Sequence, residues 1–122
     1  MKTKILIDDD ELFARNVFKR LLANNETEII EAKNAYEGYL RYEVEKPDIV
    51  ITDVMMKNIG GEWLVERLLR NFPEANIIVC SGNPQVELLK FKLMGARAVL
   101  RKPINYNELW AAIESITNNT LL

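Results

Sequence analysis

Residues 5–11 read Ile5-Leu6-Ile7-Asp8-Asp9-Asp10-Glu11: three apolar residues without alternation, then four consecutive acids. An unalternating, β-branched-rich run suits a strand covered on both faces. Four more runs of this kind follow: Glu28-Ile29-Ile30, Ile49-Val50-Ile51, Ile77-Ile78-Val79-Cys80 and Ala98-Val99-Leu100. Segments with helical period separate them. Phe13, Val17 and Leu21 form one stripe, Leu64/Val65, Leu68/Leu69 and Phe72 a second, and Leu109, Ile113 and Ile116 a third. Strict β–α alternation argues a parallel sheet with helices on both faces. Right-handed crossovers then bring every strand's C-terminal end to one rim.

Local signals punctuate this pattern. Asn34 and Asn105 read as helix N-caps, and Pro84 suits a first helical turn. Pro47 and Pro73 end the helices before them. Gly38 falls inside the second helix, where glycine costs about 1 kcal/mol relative to alanine. The expected fold is α/β: one five-unit (βα)5, flavodoxin-like doubly wound sheet with strand order 2-1-3-4-5. At 122 residues one domain is the natural count, and the polar tail after Thr117 (118–122) is expected to fray.

Composition narrows the chemistry. With 48% hydrophobic residues, disorder is not expected. A net charge of −2 argues against a general nucleic-acid or acidic-membrane binder. Cys80 is the only cysteine, so an internal disulfide or thiolate zinc site is excluded and a reducing compartment is the simple reading. The chain has no histidine, which removes His-based triads and imidazole ligands. No signal peptide or membrane-length apolar run is present, so a soluble cytoplasmic protein is expected.

The reactive side chains stand where strands stop. Asp8, Asp9, Asp10 and Glu11 follow strand 1; Asp53 ends strand 3; Ser81-Gly82 ends strand 4; Lys102-Pro103 ends strand 5. Open α/β sheets bind ligands outside these carboxyl ends, at the switch point. Converging carboxylates repel and stay ionised together only around a cation. An all-oxygen donor set implies a hard ion, Mg²⁺ first or Mn²⁺. Lys102 and Ser81 would complete a phosphoryl-shaped pocket, and a central carboxylate can itself attack phosphorus.

Four segments in order carry a resemblance. Ile5–Glu11 with Arg15 is similar to the acidic-pair segment of response-regulator receiver domains, with Asp9 and Asp10 as the pair. Pro47–Met56 with Gly61 resembles the phosphoacceptor segment, Ser81-Gly82 the hydroxyl segment, and Gly95-Ala96 with Leu100–Pro103 the last. The likeness runs from about residue 3 to 117, so residues 1–122 are expected to form a single receiver domain. It implies that Asp53 accepts a phosphoryl group from a histidine kinase or phosphotransfer protein. It implies that Asp10, Asp53 and the Met55 backbone carbonyl bind Mg²⁺, with Asp9 acting directly or through water. Lys102 would pair with phosphoryl oxygens, Ser81 would move to hydrogen-bond them, and the Lys102–Pro103 bond would be cis. The implied activity is self-phosphorylation and slow autodephosphorylation rather than turnover of an external substrate. Helix 4, strand 5 and helix 5 would offer an output face, and a phosphorylation-dependent homodimer is a further implied form.

Plainer readings stand beside these. Asp8-Asp9-Asp10-Glu11 also suits an acidic helix start, with Asp8 as a cap or a solvated neighbour. Cys80, Trp63 and Trp110 read as packing residues, and so do the Met55 and Met56 side chains. Lys90, Lys92, Arg97, Arg101 and Lys102 read as a solvated face before they read as a dock for an acidic partner. The chain departs from the family at three places: Lys57 replaces a usual proline, Val99 a usual Tyr or Phe, and Ile104 a usual Phe. Coupling through an inward-rotating aromatic cannot operate through Val99. Two alternatives remain: an interaction module that keeps the fold without switching, and a phosphatase of the haloacid-dehalogenase type. The second lacks an acidic pair after Lys102 and leaves Asp53 unexplained.

Overall fold

The five unalternating runs become five parallel strands in a computed structural model that describes residues 2–121, with side chains through 118. They are β1 (Thr3–Asp8), β2 (Thr27–Ala32), β3 (Ile49–Asp53), β4 (Ile77–Ser81) and β5 (Ala98–Arg101). Their order is β2-β1-β3-β4-β5, as the α/β reading expected. The register sets Asp8 opposite Thr52, Asp53 opposite Cys80 and Ser81 opposite Arg101, which brings the strand ends to one rim.

Absence of alternation has a direct cause: both faces of the sheet are covered. Leu6, Val50, Ile77 and Val79 join one core beneath α2 (Ala35–Glu45), α3 (Gly61–Asn71) and α4 (Leu89–Met94). Ile5, Ile7, Ile49, Ile51, Ile78 and Cys80 join the other, beneath α1 (Leu12–Leu22) and α5 (Tyr106–Leu121). Each such side chain removed from water contributes about 1.5–3 kcal/mol before chain entropy is set against it.

The caps form as read. Asn34 Oδ1 accepts from the Glu37 N–H at 2.7 Å, and Asn105 Oδ1 from the Glu108 N–H at 3.0 Å. Lys46 closes α2 in the left-handed region just before Pro47. On α3, Leu64, Val65 and Leu68 are buried, with Leu69 and Phe72 half-buried against the same core; on α5, Leu109, Ile113 and Ile116 are buried.

Two helix expectations need correction. On α1 the stripe Phe13–Val17–Leu21 is not the core line: Phe13 is 79% exposed, whereas Phe18 and Leu22 are buried. Ala14, Phe18 and Leu22 have the same i, i+4, i+8 spacing one residue round the helix, and alanine's weak hydrophobicity hides that line. Pro84 does not open α4, which starts at Leu89. It sits in a turn instead: the Val86 N–H donates to the Asn83 carbonyl at 3.1 Å and the Gln85 N–H to Asn83 Oδ1 at 2.8 Å. An Asn-Pro pair initiates turns as readily as helices.

α5 is helical through 118–121, the stretch expected to fray, and Leu122 lies outside the described residues. Among the described residues no helix is long and apolar enough to cross a membrane.

Candidate functional site

The rim gathers the strand-end residues into one cluster. Carboxylate oxygens of Asp9, Asp10 and Asp53 all lie within 4.8 Å of one another. β1 delivers Asp9 and Asp10, and β3 delivers Asp53, which is only 7% exposed. From β5, Lys102 Nζ donates to Asp9 Oδ2 at 2.7 Å and stands 3.6 Å from Asp53 Oδ1. From β4, the buried Ser81 presents a hydroxyl whose Oγ accepts from the Asn83 N–H at 3.1 Å.

Backbone donors hold two further acid oxygens. The Glu11 N–H donates to Asp9 Oδ1, and the Lys57 N–H to Asp10 Oδ2, both at 3.0 Å. Lys57, at the position that departs from the family, therefore anchors the loop after β3 to an acid of the cluster. Gly61 brings that loop close: a Cβ there would overlap the Asp53 carbonyl and lie 2.9 Å from Val54 Cα. Arg15 donates to the Asp9 carbonyl at 2.7 Å and fixes the turn after β1. Met55 follows β3 with its side chain 57% exposed, so it is not a packing residue there; Met56 packs against the core as read. The Lys102–Pro103 peptide is cis.

Electrostatics follow from this geometry. Burial pushes Asp53 up to about 6; Lys102 opposes the shift and Asp9 adds to it. Burial alone would lower Lys102, but its bond to Asp9 and the charges of Asp53 and Asp9 leave it above its usual value. Cys80 is fully buried and pushed up to about 12 by desolvation, which fits an inert core thiol.

Asp8 corrects the sequence reading. It is neither a cap nor solvated: it is 1% exposed at the end of β1, and neither carboxyl oxygen has a hydrogen-bond partner. Its carboxyl is packed against α2 at Gly38, where any Cβ would fall on Asp8 Oδ2. Burial first, then Glu37 and Asp9, raise its pKa to about 8. A glycine inside a helix signals a close approach, and this one makes room for Asp8.

The packing and surface readings largely hold. Trp63 stands edge-on to Tyr39, and Trp110 donates to the Leu21 carbonyl at 3.1 Å. All five basic residues of the 88–107 stretch have partners within the chain: Lys90 pairs with Glu62, Lys92 bonds the Arg97 carbonyl, and Arg97 bonds Asn76. Lys102 has its acids, and Arg101 spans two loop carbonyls that the sequence did not flag. Arg101 lies within the Leu100–Pro103 segment and the basic stretch, but neither marks this contact; only its neighbour across the sheet, Ser81, hints at it.

Comparison with known proteins agrees with this fold. The model of the response regulator receiver domain family matches residues 5–114. The chain is similar to a chemotaxis protein CheY of Listeria monocytogenes, 30% identical over 91% of this chain and 95% of that one. It is also similar to a probable transcriptional regulator of Cyanophora paradoxa, 27% identical over 98% of this chain but 50% of that protein. Among solved structures, a response regulator receiver domain protein from Clostridium thermocellum superposes with TM-score 0.87 at 29% identity, covering 97% of this chain and 96% of that one.

Proposed function

The chain belongs to the response-regulator receiver-domain family, and from that premise we propose that residues 1–122 act as one receiver unit whose Asp53 accepts a phosphoryl group. The observation that carries this is Asp53 itself. A nearly buried carboxylate at a strand end, among two further acids and 3.6 Å from a lysine, has little reason to be there for packing. The donor is a phosphohistidine on a histidine kinase or phosphotransfer protein in the cytoplasm. The chain has no histidine and cannot supply that donor itself.

An Asp53 carboxylate oxygen attacks phosphorus in line; the P–O bond forms as the P–N bond to imidazole breaks, and the pair leaves with the imidazole. Asp53 must be ionised for this, and its raised value near 6 still leaves it mostly so at neutral pH. The all-oxygen donor set of Asp9, Asp10 and Asp53 suits Mg²⁺, or Mn²⁺, and the Met55 backbone carbonyl is the further ligand that the family resemblance adds. Such an ion supplies charge neutralisation for the transferring group. Lys102 then leaves Asp9 for a phosphoryl oxygen, and the Ser81 hydroxyl turns to donate to another. Water later hydrolyses the acyl phosphate slowly, so the chain resets without turning over an external substrate.

The acyl phosphate biases a two-state surface. The α4–β5–α5 face offers the output, toward a protein effector or a second copy, without nucleic acid or membrane contact. The haloacid-dehalogenase reading lacks its acidic pair after Lys102: among the described residues the cluster draws on Asp9, Asp10 and Asp53 alone. Val99 and Lys57 permit the other alternative, an interaction module that does not switch, while the intact Asp10, Asp53, Ser81 and Lys102 set argues against it. Incubation with Mg²⁺ and acetyl phosphate, followed by intact mass, tests the proposal. One added phosphoryl on the wild type and none on Asp53→Asn is expected; no gain, or an undiminished gain in the variant, overturns it. A phosphorylated chain with unchanged α4 and β5 amide signals would favour the non-switching module.

A further inference from the structure

We propose that Arg101 is a positioning residue that links the Ser81 hydroxyl to the approach of α4. The inference rests on the phosphoacceptor reading and deepens it. Its geometry is a short relay of hydrogen bonds. Ser81 Oγ accepts from the Asn83 N–H at 3.1 Å. The Asn83 carbonyl accepts from Arg101 Nη1 at 2.8 Å, and the Val86 carbonyl from Arg101 Nη2 at 2.6 Å. Three residues past Val86, α4 begins. Arg101 is the β5 residue directly opposite Ser81, so one strand pair carries both ends of the relay.

A planar guanidinium reaches two carbonyls at once in a fixed fork, which an ammonium cannot do. Both acceptors lie on the loop that must move if Ser81 moves. When the hydroxyl turns toward a phosphoryl oxygen on Asp53, the Asn83 N–H either follows it or loses its acceptor. Where the N–H follows, the Asn83 residue shifts and its carbonyl changes its bond to Arg101. The second nitrogen of the same fork holds Val86, which packs against the core under α4. Val99 has no polar atom beyond its backbone and cannot make this link. Arg101 thus ties β5 to the loop on the exposed side, where the family's usual aromatic is missing.

The test is hydrogen exchange at the amides of residues 83–90, with and without Mg²⁺ and beryllofluoride, in wild type, Arg101→Ala and Arg101→Lys. In the wild type, beryllofluoride should change exchange in this segment several-fold. In Arg101→Ala the segment should already exchange several-fold faster without it, and the further change should collapse. Arg101→Lys, able to reach one carbonyl, should fall between the two. Phosphorylation by acetyl phosphate should proceed in all three, because Arg101 does not touch Asp53. A merely structural clamp would raise exchange equally in both states and leave the difference intact. An unchanged difference in Arg101→Ala, or no change at 83–90 in the wild type, overturns the link. Absence of any mass gain on the wild type overturns the phosphoacceptor reading itself and the link with it.

Discussion

Lys102 Nζ lies 2.7 Å from Asp9 Oδ2 but 3.6 Å from Asp53 Oδ1, so the lysine is held more closely by Asp9, the proposed metal ligand, than by Asp53, the proposed acceptor. In this state an ammonium neutralises a carboxylate that a divalent cation would need. On the proposed function, lysine and cation would compete for Asp9, while both would be needed once phosphoryl oxygens arrive. Lys102→Met should bind Mg²⁺ more tightly, by roughly tenfold, or ~1.4 kcal/mol, in isothermal titration calorimetry. The same variant should gain phosphoryl mass from acetyl phosphate far more slowly. Weaker Mg²⁺ binding in Lys102→Met would show that the two cations cooperate rather than compete.

Asp8 predicts a stability penalty that grows with pH. Its folded value of about 8 stands above the ordinary 3.8, with burial the main cause and Glu37 and Asp9 adding. The folded state thus holds a proton that the unfolded state has released between those values. Asp8's own contribution to stability is most favourable below about pH 4, falls as pH rises toward 8, and the penalty is complete above that. Asp8→Val removes both the charge and the two unpartnered oxygens. It should melt several degrees higher at pH 8.5 in excess chelator, since ~1 kcal/mol moves a domain of this size by about 4 °C. The advantage should shrink toward pH 5. A pH-independent difference would assign the gain to packing alone.

What was legible in the sequence divides along physical lines. β1, β3 and β4 announced themselves because strands covered on both faces need apolar residues at every position, and few other elements do. Asp53, Lys102 and Ser81 were legible because each ends such a run. Asp8 was not, because its neighbours Asp9 and Asp10 made it look like one more solvated acid; only its contact with Gly38 separates it from them. The α1 core line failed for a different reason. Two adjacent lines share one spacing, and Phe13 outweighed Ala14 in the pattern although Phe13 faces solvent. Arg101 carries no signal, since a single surface arginine bonding two loop carbonyls has no local sequence consequence.

Gly61 should prove the less replaceable of the two adjacent glycines. Its Cβ would overlap the Asp53 carbonyl, while a Cβ at Gly60 would meet only the Val54 carbonyl at 3.0 Å. Gly61→Ala must therefore push the loop off the end of β3. A loss of about 1–3 kcal/mol in urea unfolding and slower phosphorylation of Asp53 are expected. Gly60→Ala should be milder in both. Equal effects would mean that the loop yields without moving Asp53.

The Asp8–Gly38 contact makes the sharpest prediction because it reverses a sign. Glycine inside a helix is ordinarily the weaker residue, so alanine at 38 should stabilise α2 by about 1 kcal/mol if nothing opposed it. Here Asp8 opposes it: the new methyl would fall on Oδ2 and lie 2.9 Å from Cγ, with Leu64 Cδ2 at 3.2 Å beyond. Gly38→Ala alone should therefore destabilise the domain. Asp8→Ala removes the obstructing carboxyl and leaves only the flexible end of Leu64, which can give by a few tenths of an ångström. In that background Gly38→Ala should be neutral or stabilising. The four proteins of the cycle, unfolded in urea at pH 7 in chelator, should show a coupling of about 1–3 kcal/mol. Additive effects would mean that Asp8 is free to turn away from α2, and that Gly38 is there for some other reason than to seat it.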